Sequence, residues 1–257
     1  MKYLVIGGCS HAVGTGLPEA LGHRLEGGVR PYKIYRYSAL LAKKLNLEEI
    51  NLGKDGASNW QIYINVMSWI LNNQEKLNET LFVISWTYAD RNYLALEGDF
   101  YGAHDKLIYS CRANNTVTFI PKDLTKFNNE NFHSRDELWD GGIIKNSLLY
   151  MTGLTSFLSN QNLKYLHFHS DFFLHKGPDG KVNIHEPKKL SEYIAKYIDL
   201  FDTKNYIIDE TYRWYCKFDR LMPPKYDFYD GHIGPDGQKL WADYLYQQLI
   251  DREIYNE

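Results

Sequence analysis

Two short apolar runs constrain this chain most. Residues 2–8 (KYLVIGG) and 80–87 (TLFVISWT) are apolar almost throughout, without the polar–apolar alternation of a strand that has one face in water. Strands of this kind lie inside a parallel sheet, where helices cover both faces. We therefore predict two central strands of an α/β protein.

The rest of the chain alternates between helical and strand patterns. We predict further strands at 48–53 and 164–170, and helices at 38–45, 58–76, 144–160, 190–201 and 236–254. Ser58 or Asn59 is available as the N-cap of the second helix. The alternation favours a doubly wound sheet in a single domain, residues 1–257. Residues 91–143, rich in Asn, Asp, Gly and aromatic residues, are expected to form a loop-rich insertion.

Composition argues against several classes of protein. The 29 basic and 32 acidic residues leave a net charge of −3, which favours neither nucleic acid nor a membrane surface as partner. Cys9, Cys111 and Cys216 are too widely spaced to suggest a zinc site or a disulfide framework. The first strand begins at residue 2 and no apolar stretch is long enough to span a bilayer, so we expect a cytoplasmic protein.

Glycine and polar residues follow the predicted strands. GGCSH follows the first, GKDGASN the second and SWTYADR the third, while YDGHIGPDG precedes the last helix. Ligands of parallel sheets bind beyond the carboxyl ends of the strands, so these segments are expected to meet there. Ser10 is then a candidate nucleophile, His232 its base and Asp230 the group that orients the base.

A nucleophilic serine also needs hydrogen-bond donors aimed at the oxyanion that forms on its substrate. The backbone N–H groups of Ser10 and Gly56 are candidates, because glycine allows close approach of the backbone to a substrate. Thr87 or Asn59 is a candidate for a third, side-chain donor.

The order of these segments resembles the SGNH hydrolase superfamily, also called GDSL-type esterases. The G-D-S block of that family is matched by residues 8–10, where Cys9 stands in place of aspartate, and the glycine of its second block by Gly56. Its D-x-x-H block is matched by residues 230–232 with one residue fewer, and Asp227 is an alternative carboxylate. The resemblance covers residues 2–250, and residues 40–59 resemble members from phage and surface-polysaccharide loci.

The third block of the family, G-x-N-D, is replaced by Ser85-Trp86-Thr87-Tyr88, which lacks the oxyanion-hole asparagine. The resemblance implies a three-layer α/β/α sandwich with a central, mostly parallel, flavodoxin-like sheet. It also implies a serine esterase that needs no cofactor or metal and cleaves a small acyl ester, such as an O-acetyl group on a carbohydrate. An inactive glycan-binding module and an O-acyltransferase are the alternative functions.

Several candidate residues also have a purely structural interpretation. Taken alone, Ser10 suits a helix N-cap or a turn, and the segment 230–232 suits a turn. Cys9 is expected to be a small buried packing residue. His11 is expected either to enter solvent or to contact substrate.

Three further positions near strand ends remain open. Trp86 and Arg91 are candidate substrate contacts, although Arg91 equally suits a surface salt bridge. His167 and His169 alternate on a strand, and we expect them to pack there rather than to bind a metal.

Overall fold

A central parallel sheet of five strands organises the part of the chain that the computed structural model describes: residues 1–15, 17, 31–87, 92–95, 108–111, 143–169, 174–176, 182–184, 204–207, 228–229 and 232–256. Its strands are β1 (Tyr3–Gly7), β2 (Glu48–Asn51), β3 (Thr80–Trp86), β6 (Lys164–His169) and β9 (Tyr206–Ile207). They lie in the order β2-β1-β3-β6-β9, all parallel. The order is that of flavodoxin-like sheets, which confirms the predicted fold class.

Helices cover both faces of this sheet. The helices are α1 (Ser10–Val13), α2 (Tyr37–Leu45), α3 (Asn59–Asn72), α4 (Ile143–Asn160) and α5 (Pro235–Asp251), with short 3-10 helices at Pro31–Tyr35 and Gln74–Glu79. Helices α3 and α4 pack on one face of the sheet, and α2 and α5 pack on the other. None of the helices described is both long and apolar enough to cross a membrane.

The two apolar runs lie at the centre of the sheet. In β1, Val5 points towards α3 and α4, whereas Leu4 and Ile6 point towards α2 and α5, and all three are fully buried. All seven residues of β3 are buried as well. Both faces of these strands are therefore covered, which explains why neither run alternates with polar residues.

The remaining strands of the described residues form three antiparallel pairs outside the sheet. They are β4 (Asn92–Ala95) with β5 (Ile108–Cys111), β7 (Leu174–Lys176) with β8 (Val182–Ile184), and β10 (Phe228–Tyr229) with β11 (His232–Ile233). The first pair lies within the predicted insertion. The helix predicted at 190–201 lies outside the described residues.

The structure differs most from the prediction at the end of one helix and at one strand. The helix expected over 58–76 ends at Asn72, and the 3-10 turn Gln74–Glu79 leads into β3. Its N-cap is Ser58, whose hydroxyl accepts a hydrogen bond from the Gln61 N–H. Ser58 is one of the two N-cap candidates that the sequence predicted. Strand β9 was not predicted, because its two residues are too few to produce a strand pattern.

Candidate active site

Ser10 lies immediately beyond the carboxyl end of β1. It is the first residue of α1, and Cys9 occupies the N-cap position with an extended backbone and no side-chain capping bond. Helix α1 ends after four residues at Gly14, which has a φ of 85°. Ser10 is therefore not the capping residue of this helix, as its sequence position alone would allow.

The loop after β2 is fastened to the segment that carries Ser10. The Lys54 N–H donates to the Gly8 carbonyl at 3.1 Å, and the Thr15 hydroxyl donates to the carboxylate of Asp55. Gly53 packs so closely on α1 that an added Cβ would lie 3.1 Å from the Ala12 Cβ. The first two sequence blocks thus meet at one edge of the sheet, as their strand-end positions predicted.

Asn51, the last residue of β2, makes the most contacts in this junction and was not singled out by the sequence. Its Nδ2 donates to the Ala12 carbonyl at 2.7 Å and to the Ser38 hydroxyl at 2.9 Å, while its Oδ1 accepts from the Gly53 N–H at 2.9 Å. One side chain therefore joins α1, α2 and the loop after β2. An asparagine at the end of an otherwise strand-forming segment is the signal that could have indicated it.

Gly56 lies in a tight turn of this second loop. The Ala57 N–H donates to the Lys54 carbonyl at 3.1 Å, and Gly56 has a φ of 70°. Turns that require a positive φ at their third position favour glycine there. Gly56 is exposed, and its N–H takes part in no backbone hydrogen bond among the described residues.

The two candidates for a side-chain oxyanion donor contact each other. The Asn59 Oδ1 accepts from the Thr87 N–H at 2.8 Å, and the Asn59 Nδ2 donates to the Thr87 carbonyl at 3.2 Å. Both residues are fully buried. Asn59, in the first turn of α3, therefore pairs with the backbone at the end of β3 and fastens the second block to the third.

The pairing with Asn59 uses the backbone N–H and carbonyl of Thr87 and does not involve its side-chain hydroxyl. The Thr87 Oγ1 is buried and has no hydrogen-bond partner among the described residues. Because most buried hydroxyls are paired, this one makes Thr87 a candidate donor to a bound group. Thr87 stands where the third block of the SGNH family has its asparagine.

The segment of the last block leads into α5. His232 lies in β11, three residues before the first residue of this helix, and the structure describes its backbone. Ile233 beside it is buried against the α2 and α5 face of the sheet. Asp230, Asp227 and Arg91 lie outside the described residues, so their predicted roles stay predictions.

Three residues near Ser10 are buried. Cys9 is 1% exposed and unpaired in any disulfide, which confirms its predicted packing role. His11 is also buried, so it does not extend into solvent. Trp86 lies in the core, and its Nε1, the polar group of its side chain, already donates to the His167 Nδ1 at 3.2 Å, which argues against the expectation that it contacts substrate.

The two histidines of β6 belong to an aromatic cluster at the end of this strand. The His167 ring packs edge-on against Tyr206 at 4.8 Å between centroids, and the His169 Nδ1 is hydrogen-bonded to the Tyr206 hydroxyl. Burial, followed by the proximity of His167, lowers the pKa of His169 to about 3. The predicted packing role of both histidines is confirmed. Within the described residues, no three His, Cys, Asp or Glu side chains are grouped to hold a metal.

The chain was compared with known proteins at three levels. No family model matches it, and no curated protein does. Among solved structures, a protein of the G-D-S-L family described as lipolytic, from Desulfitobacterium hafniense, is 12% identical over 97% of this chain and 100% of its own, with a TM-score of 0.43. A psychrotrophic esterase from Pseudoalteromonas sp. is 12% identical over 98% of both chains, with a TM-score of 0.46.

A third solved structure is a carbohydrate esterase of family 2 with a carbohydrate-binding domain, from Corynascus thermopiles (Myceliophthora fergusii). It is 11% identical over 99% of this chain and 67% of its own, with a TM-score of 0.47. All three similarities are distant. These three structures are named for two esterases and a lipolytic protein.

Proposed function

We propose that this protein is a serine hydrolase of the SGNH type that cleaves a small acyl ester, with O-acetylated carbohydrate as its substrate class. The observation that supports this proposal most is that the segments following β1, β2 and β3 contact one another. The turn that begins with Ser10, the loop of Gly56 and the strand end at Thr87 are fastened together by hydrogen bonds and close packing. Each carries a group that ester hydrolysis requires.

In the proposed reaction, the Ser10 Oγ attacks the carbonyl carbon of the ester. His232 accepts the serine proton and then donates it to the departing alcohol, while Asp230 holds the imidazole in the required tautomer. Water then attacks the acyl-serine with His232 again as base, which releases the acid and restores Ser10.

The oxyanion formed in both steps is assigned to the N–H groups of Ser10 and Gly56 and to the Thr87 hydroxyl. Thr87 suits this role better than Asn59, because the Asn59 amide already pairs with the Thr87 backbone whereas the Thr87 hydroxyl has no partner among the described residues. A donor aimed at the oxyanion stabilises the charge that develops in the transition state.

The direct test is hydrolysis of p-nitrophenyl acetate by the protein and by its Ser10→Ala variant. We expect the variant to lose at least about 10³-fold in kcat. Ser159→Ala removes an exposed serine from the last turn of α4, which leads to the amino end of β6 on the opposite side of the sheet, and serves as the control that keeps full activity. Equal hydrolysis by the wild type and Ser10→Ala would overturn the assignment of Ser10.

The substrate class is tested by acetate release from acetylated xylan oligosaccharides, compared with hydrolysis of p-nitrophenyl butyrate. We expect acetate release to depend on Ser10. Binding of the oligosaccharides without acetate release, together with no labelling by a fluorophosphonate, would indicate a binding module instead. Transfer of acetate to an added sugar in preference to water would indicate an acyltransferase.

A further inference from the structure

Tyr37, the first residue of α2, is held at its backbone by a distant helix. Its N–H donates to the Gln238 Oε1 at 2.7 Å, in a contact between residues 201 positions apart. Arg36, which precedes it at the N-cap, supplies no side-chain capping bond. The first N–H groups of a helix need acceptors, so Gln238 in the first turn of α5 caps α2 from outside. The segment with His232 leads directly into that turn.

The start of α2 packs on the segment that carries Ser10. A Cβ added to Gly14 would lie 3.1 Å from the Arg36 Cβ, and Tyr37 belongs to the same buried cluster as Ala12 of α1. The Tyr37 ring is 1% exposed and packs edge-on against Phe168, with 6.3 Å between ring centroids. Burial, above all, raises the pKa of Tyr37 above its usual value; the nearby Cys9 adds to the rise, and the Ser85 hydroxyl acts in the opposite direction.

Ser85 is itself in close contact with the start of the Ser10 turn. A Cβ added to Gly8 would lie 3.3 Å from the Ser85 Cβ, so β3 and the turn have no room between them at this point. The hydroxyls of Tyr37 and Ser85 are both fully buried, and neither completes a hydrogen bond of standard geometry within the described residues.

A buried hydroxyl without a partner of standard geometry costs roughly 1–3 kcal/mol, whereas phenylalanine would fill the same space without that cost. Each such group calls for an explanation, and a role in positioning neighbouring segments is one.

We propose that Tyr37 is a positioning residue that couples the Ser10 turn to the His232 segment, through the phenol near Ser85 and Cys9 at one end and the Gln238-capped N–H at the other. The proposal rests on the proposed function, in which Ser10 and His232 exchange a proton. It extends that function by naming the side chain that sets the distance between the two segments.

Tyr37→Phe removes the hydroxyl and keeps the ring. We expect kcat for p-nitrophenyl acetate to fall about tenfold or more, because a small misplacement of reacting groups is costly, with KM changed less than twofold. The midpoint of thermal unfolding should stay unchanged or rise, which a merely structural role would not give. Tyr165→Phe, a buried tyrosine near the amino end of β6, is the matched control and should keep full kcat.

Hydrogen exchange provides a second measurement that does not depend on activity. We expect Tyr37→Phe to accelerate exchange in peptides covering residues 8–15 and 232–238, and Tyr165→Phe to leave both unchanged. Unchanged kcat and unchanged exchange in Tyr37→Phe would overturn the coupling while leaving the proposed function intact. If the wild type hydrolyses no ester, the proposed function fails, and unchanged exchange would then overturn the coupling as well.

Discussion

Strand β3 has a threonine at its first residue and another directly after its last, and the two are in opposite situations. The Thr80 hydroxyl, at the amino end, donates to the Lys76 carbonyl at 2.7 Å. The Thr87 hydroxyl, at the carboxyl end, is equally buried but has no partner among the described residues. The same chemical group thus stabilises the fold at one end of the strand and is available for other chemistry at the other.

The difference extends beyond these two residues. At the amino edge of the sheet, backbone bonds join Lys2 to both Glu79 and Glu48, and an exposed salt bridge joins Lys2 to Glu79. At the carboxyl edge, four buried side chains have a polar atom without a hydrogen-bond partner among the described residues: Tyr37, Ser85, Thr87 and Gln238. Ligands of parallel sheets bind beyond this edge, so these groups lie where a substrate is expected.

Replacing Thr87 tests this contrast with the largest expected effect. Thr87→Val keeps the shape of the side chain and removes the hydroxyl. We expect kcat for p-nitrophenyl acetate to fall roughly 10²–10³-fold, as when one oxyanion donor is lost. The free energy of unfolding in urea should stay the same or increase, because the hydroxyl has no partner to lose.

Thr80→Val is the matched control at the other end of the strand. It leaves the Lys76 carbonyl without its partner and should lower the free energy of unfolding by about 1 kcal/mol without changing kcat. If Thr87→Val instead loses stability and keeps kcat, the two ends of β3 do not differ in the way proposed.

Asn59→Ala is expected to have the next largest effect, this time on stability. It leaves the buried N–H and carbonyl of Thr87 unpaired, so the free energy of unfolding should fall by about 2–4 kcal/mol. Asn72→Ala, which removes a comparable amide at the exposed end of α3, should change it by less than about 0.5 kcal/mol. Urea unfolding of both variants measures the difference, and similar losses would contradict the role given to Asn59.

The sequence predicted the fold well because local patterns carried the information. Apolar runs marked β1 and β3, and Ser58 marked the start of α3. The site was predicted less completely, because its residues meet only through tertiary contacts. Thr87 and Asn59 were alternatives for one role in the sequence, whereas in the structure one side chain holds the backbone of the other.

The cap of α2 shows why the rest could not be predicted. The local pattern predicted the helix to begin at residue 38, one residue late, but nothing local marks its capping acceptor, which is on Gln238, 201 positions along the chain. Only the absence of Ser, Thr, Asp or Asn immediately before the helix hints that a cap comes from elsewhere.

The aromatic cluster at the end of β6 predicts a dependence of stability on pH. The pKa of His169 is about 3 in the folded protein and about 6.5 in an unfolded chain. Between these values the unfolded chain binds a proton that the folded protein does not. His169 therefore does not lower the free energy of unfolding above about pH 6.5, and lowers it progressively as the pH falls from 6.5 towards 3. The loss from this residue is at most about 1.4 kcal/mol per pH unit.

Urea unfolding of the wild type and His169→Asn at pH 7 and pH 5 measures this contribution. The difference in unfolding free energy between the two pH values should be smaller in the variant, because asparagine does not titrate. Equal pH dependence of the two proteins would show that His169 is protonated as easily in the folded state as in the unfolded one.

Replacing two glycines by alanine is expected to give the smallest changes in the free energy of unfolding, with opposite signs. Gly56, at the carboxyl edge, has a φ of 70°, so Gly56→Ala should lower the free energy of unfolding by roughly 1 kcal/mol. Gly153 lies within α4, and an added Cβ would make only an ordinary 3.8 Å contact with Tyr63, so Gly153→Ala should raise it by roughly 0.4–1 kcal/mol. Thermal unfolding of both variants measures the signs. A stabilising Gly56→Ala would mean that the turn can relax to a negative φ, and the Gly56 N–H would then lose the fixed orientation that an oxyanion donor requires.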